Sequence, residues 1–253
     1  HPEIDGDEDT RHRGAACEEL HRQRGLRGVH EEREVGEEAQ GGVARFVEAD
    51  LFARENKNGG AWMDNFVVQS TLLGTKPVIC NVANVVKPAP GQPALLRLDE
   101  VMPLFHEFGH ALHGLSSNVN YPTLAGTRVA RDYVEFPSQL LEHWLATPEI
   151  LNRYALHYQT GKPIPQALVD KIKNADKFNQ GFDTVEYLSS ALIDMKLHLA
   201  GSEKIDPDKF ERETLASLGM PSEIVMRHRT PQFNHVFSGD GYSAGYYSYL
   251  WSD

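Results

Sequence analysis

Between residues 98 and 116 the apolar positions Val101, Leu104, Phe105, Phe108, Leu112 and Leu115 recur at the period of an amphipathic helix, which predicts a buried stripe on one face. Asp99 is placed to cap its start and Gly114 lies near its end, which puts Pro103 in or close to the first turn. Upstream the pattern changes. Residues 45–52 have strand character, and 78–86 form a β-branched run bounded by Pro77 and Pro88. Residues 59–63, which hold Gly59 and Gly60, read as a loop where backbone approaches something closely, and 88–93 as a Pro-rich connector. Downstream, helical spacing returns over 138–146, 166–178, 184–200 and 208–218, with breaks at Pro148, Pro163, Gly201 and Pro221. The expected fold is mainly α with a small β-sheet.

Composition narrows the function classes. At 253 residues the chain can bury a core, and a net charge of -11 argues against nonspecific nucleic-acid binding. No apolar run approaches the length of a membrane span, so no membrane partner is expected. Two cysteines, Cys17 and Cys80, with no secretory segment, fit a cytoplasmic protein. Residues 1–43 contain no lysine and little apolar periodicity, so they read as disordered or non-native, ahead of a domain over 44–253. The chain ends inside an expected helix, which reads as a C-terminal truncation.

The candidate chemistry lies on the 98–116 helix. His106 and His110 stand four apart, so both imidazoles project from one face and can hold one metal ion. Glu107, next to the first, would be the base for a water on that metal. A third ligand is needed. The metzincin pattern requires Gly and His where this chain has His113 and Ser116, and a glutamate about twenty residues downstream would fall at Val129 or Ala130. The next carboxylates are Asp132 and Glu135, and either could complete a site that leaves a fourth position for water. Asp132 and Glu135 are also spaced as a capping box, which is the structural alternative. His113 could tempt one to a three-histidine site, but it lies nearly two turns from His106. His157, His198 and His228 lack ligand spacing and read as structural. Near the far end Tyr242, Tyr246 and Tyr249 stand at i, i+4 and i+7, so one helical face could present all three.

These residues carry a resemblance. Residues 105–115, Gly126-Thr127, 131–139 and Glu142-His143-Trp144, with 233–235 and 239–251, resemble the thimet oligopeptidase, oligopeptidase A and peptidyl-dipeptidase family of zinc metallopeptidases, the bacterial peptidyl-dipeptidase branch above all. The resemblance implies a zincin-like catalytic domain, here incomplete, that binds one Zn2+ through His106, His110 and Glu135. It implies that Glu107 is the base and that Tyr242 and Tyr249 face the scissile carbonyl. It further implies that His235 and Tyr246 contact substrate, and that Gly239 and Gly241 belong to a loop closing over it. Gly60 and Ala61 are assigned to the edge that holds extended substrate. The implied partners are short peptides, and the implied state is a monomer. The alternative is a zinc-binding but inactive fragment, since relatives carry a large N-terminal helical region forming the other wall of the substrate channel.

Overall fold

The computed structural model describes residues 46–253, so the expectation for 1–43 lies outside the described residues. Contacts divide the chain into two compact units. One takes residues up to Ala130 together with Val134–Ile150, and the other takes Arg131–Tyr133 and Leu151–Asp253.

In the first unit three strands form one sheet, β1 (Phe46–Phe52), β2 (Trp62–Val67) and β3 (Val78–Val85), in the order β1-β3-β2. β3 runs parallel to β1, with Phe46 opposite Val78, and antiparallel to β2, with Trp62 opposite Val82. Its residues from Ile79 through Ala83 are all buried, so both faces of the central strand are covered and the run, broken only by the buried Asn81, does not alternate with exposed positions. A buried lysine clips the sheet together. The Lys57 ammonium donates to the carbonyls of Asp50 and Phe52 on β1, at 2.9 and 3.0 Å, and to that of Ala83 on β3 at 2.5 Å. Burial lowers its pKa, opposed by the Asp50 carboxylate 3.2 Å away.

The expected loop over 59–63 is corrected in part. Trp62 and Met63 already belong to β2. Gly60 is required for its backbone angle, φ +87, and not for a close approach, because nothing lies within 4 Å of where a Cβ would stand. Its carbonyl and that of Asn58 both accept from the Asn84 amide at 2.7 Å, which pins the turn to β3.

Helix α1 (Leu98–Leu115) follows, packed against β2, β3 and α3 (Phe136–Leu145). Its N-cap is Arg97 and not Asp99, and the Glu100 carboxylate accepts the Arg97 backbone N–H at 2.9 Å. Pro103 lies inside the helix, beyond the first turn. The predicted apolar stripe is not the buried face. Phe108 and Leu112 are 38% and 39% exposed, while Glu107, Gly109, His110, Ala111 and Gly114 are buried. The helix buries its small and chemically active residues because its neighbours come too close for large ones. A Cβ on Gly109 would meet Ser138 Cα at 2.5 Å and the Pro137 carbonyl oxygen at 2.6 Å, and one on Gly114 would meet Ile79 Cδ1 at 2.7 Å.

The second unit holds α5 (Gln166–Ala175), α6 (Gln180–Leu199), α7 (Pro207–Ser217), α8 (Asn234–Phe237) and α9 (Ser248–Ser252). The short α2 (Arg131–Val134) and α4 (Pro148–Tyr154) lie where the chain passes between units. Asn179, with φ 57, separates α5 from α6. Asp206 caps α7 by accepting from the Lys209 backbone at 3.0 Å, with Pro207 in the first turn. The core gathers Ala191, Ile193, Leu215, Met226, Phe233, Val236 and Tyr246. Among the described residues no helix is long and apolar enough to cross a membrane.

Candidate metal centre

Helices α1 and α3 of the first unit bring the site together. α1 contributes His106 and His110 from adjacent turns. Glu135 is the N-cap residue of α3, which the Gly109 contact allows to stand against α1. The carboxylate of Glu135 is fully buried, and its Oε2 lies 3.2 Å from His106 Nε2 and 3.2 Å from His110 Nε2. Ligand atoms about 2.0–2.1 Å from a tetrahedral ion stand roughly 3.3 Å apart, so both separations match two edges of such a shell. Among the described residues these three alone form a group able to hold a metal ion. Asp132 and His113 stand outside it. The carboxylate is therefore aimed at the histidines, and Asp132 lies inside α2 rather than at its cap. Ser138 Oγ steadies Glu135, donating at 2.7 Å to its carbonyl and reaching 3.1 Å from Oε2.

The carboxylates around His106 favour its positively charged form. Burial, the largest single influence on His106, works against its charged form. The hydrogen bonds to Glu135 and Glu142 and the charges of Glu107 and Glu135 outweigh it and push the pKa up to about 10. Glu107 is buried beside this imidazole, 8% exposed. His113, further along α1, is shifted the other way by burial and by His110.

Glu142 is the residue that the sequence places within the resemblance but to which sequence reasoning gave no role. Its Oε1 lies 2.5 Å from His106 Nδ1, on the far side of the ring from Glu135. The signal was its spacing, seven residues after Glu135 and so on the same face of α3.

The second unit gathers the aromatic candidates, but not on one helix. Helix α9 starts only at Ser248, and the chain reaches it through turns with Gly239 at φ 138 and Ala244 at φ 52. The cause is a buried carboxylate. Asp194 on α6 accepts from the Ala244 and Tyr246 backbones at 3.0 and 2.9 Å, and those N–H groups are lost to any helical ladder. The turn nevertheless collects the rings. Tyr242 and Tyr249 stack with centroids 5.8 Å apart, His235 lies 4.2 Å from Tyr242, and His235 Nε2 is 2.9 Å from the Tyr249 hydroxyl. Tyr246 is buried in the core, where desolvation raises its pKa, and meets Tyr249 edge-on at 5.5 Å. Arg131 lies over the Tyr242 ring at 4.4 Å, and its side chain passes 3.5 Å from a Cβ on Gly241. Replacing Asp194 by Ala is expected to cost about 3 kcal/mol, since two backbone donors lose a charged acceptor. Urea denaturation checks the stability, and near-UV circular dichroism reports the loosened tyrosines.

Of the histidines read as structural, His198 pairs with Asp194 at 2.8 Å, His228 stacks on Phe233 at 5.3 Å, and His157 accepts from the Gln159 backbone at 3.3 Å.

Comparison with known proteins places this geometry. Residues 27–253 match the family model of peptidase family M3. The chain is 52% identical over 214 residues to the dipeptidyl carboxypeptidase of Escherichia coli K12, covering 83% of this chain and 31% of that protein. It is 41% identical over 214 residues to oligopeptidase A of the same organism, covering 81% and 31%. Mitochondrial intermediate peptidase 2 of Cryptococcus neoformans is 34% identical over 176 residues, covering 69% and 21%. The chain thus spans under a third of the length of these relatives. With the match running through both the histidine helix and the tyrosine turn, the chain belongs to peptidase family M3.

Proposed function

We propose that this chain carries the catalytic centre of a zinc-dependent hydrolase of short peptides. The observation that carries the reading is the trio His106, His110 and Glu135, in which Glu135 Oε2 stands 3.2 Å from each imidazole Nε2, with Glu107 buried beside it. Two imidazoles and one carboxylate are the donor set of catalytic zinc, with a fourth position left to water. A zinc ion held there would lower the pKa of a bound water to roughly 7 and polarise the substrate carbonyl. Glu107 takes the proton from the attacking water, holds it, and returns it to the leaving amine. The hydroxyl of Tyr242 or Tyr249 donates to the oxyanion, with His235 hydrogen-bonded to Tyr249 and fixing its direction. Gly239 and Gly241 belong to the loop that would face substrate, and Tyr246 supports Tyr249 from the core instead of reaching substrate itself. Gly60 and Ala61 sit just before β2, beside the sheet edge to which an extended peptide would add. A 52% identical relative is named a dipeptidyl carboxypeptidase, which favours release of C-terminal dipeptides.

The test joins metal content to turnover. The parent is expected to bind zinc and to hydrolyse a quenched short peptide, to lose both in chelator, and to regain both with added zinc. Glu135→Ala is expected to lose both. Failure to bind zinc would sink the reading, and zinc without hydrolysis would favour an inactive fragment.

A further inference from the structure

The ring of His106 is held at both ends by one helix. Glu135 at the start of α3 faces its Nε2 at 3.2 Å, and Glu142, seven residues along the same helix, meets its Nδ1 at 2.5 Å. His110 differs. Its Nε2 also faces Glu135 at 3.2 Å, but among the described residues its buried Nδ1 has no hydrogen-bond partner. The trio therefore contains one ligand fixed from behind and one that is not.

We infer that Glu142 is a positioning residue which, by accepting the Nδ1–H of His106, sets the tautomer whose Nε2 lone pair points at the metal. A neutral imidazole carries its single proton on either nitrogen, and a ring protonated at Nε2 cannot ligate through it. An acceptor fixed at Nδ1 removes that choice and also stops the ring from flipping. Glu142 suits the task because its oxygen is held on a helix, and the pair is only partly exposed, with side chains at 18% for His106 and 27% for Glu142. The role depends on the metal reading above and adds to it a residue that is not a ligand.

The experiment measures zinc affinity by competition with a chromophoric chelator for the parent chain, Glu142→Ala and Glu142→Gln. Glu142→Ala is expected to weaken binding about 10- to 100-fold, the usual loss when a partner behind a ligand is removed. Glu142→Gln keeps an acceptor oxygen in place and is expected to recover to within about threefold of the parent. Long-range 1H–15N spectra of the zinc-loaded parent are expected to show His106 protonated at Nδ1. Glu142→Ala binding as tightly as the parent would overturn the inference, as would Glu142→Gln falling as far as Glu142→Ala. If Glu142→Ala does not fold, Glu142→Asp decides, because its shorter side chain withdraws the carboxylate from Nδ1, and binding as tight as the parent's overturns the inference. A parent that binds no zinc overturns the metal reading and this inference together. A parent that binds zinc with an unaffected Glu142→Ala overturns this inference alone.

Discussion

The Glu107→Gln protein is expected to bind zinc as the parent does and to hydrolyse a quenched peptide about 10²- to 10⁴-fold more slowly, the usual contribution of a positioned base. The substitution is close to isosteric, so the buried site, where Glu107 is 8% exposed, keeps its packing. What changes is that a neutral amide cannot accept a proton from water or hand one to an amine. Metal affinity should move little, because Glu107 is not one of the trio and acts on His106 through its charge alone, behind two direct hydrogen bonds. Paired zinc titrations and single-turnover rates check this. An unchanged rate would remove Glu107 as the base, and loss of zinc would make it a structural member of the site.

Gly109→Ala is expected to destabilise the metal-free chain by about 3 kcal/mol and to weaken zinc binding roughly tenfold or more. The added methyl meets Ser138 Cα at 2.5 Å and the Pro137 carbonyl oxygen at 2.6 Å, where carbon contacts normally relax to about 3.5–4.0 Å. Both obstacles are backbone, so no rotamer change relieves them and α1 must separate from α3. Ser138 is also the residue whose hydroxyl steadies Glu135, so the shift passes directly to a ligand. A metal site tolerates only about 0.2 Å in its distances. Urea denaturation and chelator competition together test the claim. A variant that matches the parent in both would mean that the two helices yield without cost.

The parts legible in the sequence were those written in local spacing. His106 and His110 share a face because four residues make about one turn. The run from Val78 announces a central strand because a strand covered on both sides needs no polar alternation. Strand β2 escaped because Asp64 and Asn65 interrupt its apolar residues. Tyr242, Tyr246 and Tyr249 carry a helical spacing without sharing a helix, because a distant carboxylate, Asp194, claims the backbone donors of the turn before Tyr249. The apolar stripe on α1 misled for a similar reason. Which face is buried was decided by the approach of α3 at Gly109, and nothing within residues 98–115 encodes that neighbour. Glu135 needed the family resemblance to separate it from Asp132, and Glu142 needed the fold to pair it with a histidine 36 positions earlier.

The contact at Gly109 also bears on how portable the site is. Written as a search pattern, His-Glu-x-x-His leaves two positions open, as though metal chemistry made no demand on them. In this chain the second open position, Gly109, is closed by packing, since a single methyl there would strike the segment that delivers the third ligand. Grafting the pentapeptide onto another helix would transfer two ligands and a base but leave behind the neighbour that completes them. A designer copying this centre would have to treat residues 106–110 and 135–142 as one unit, with a glycine as the hinge pin on which the two pieces are fitted together.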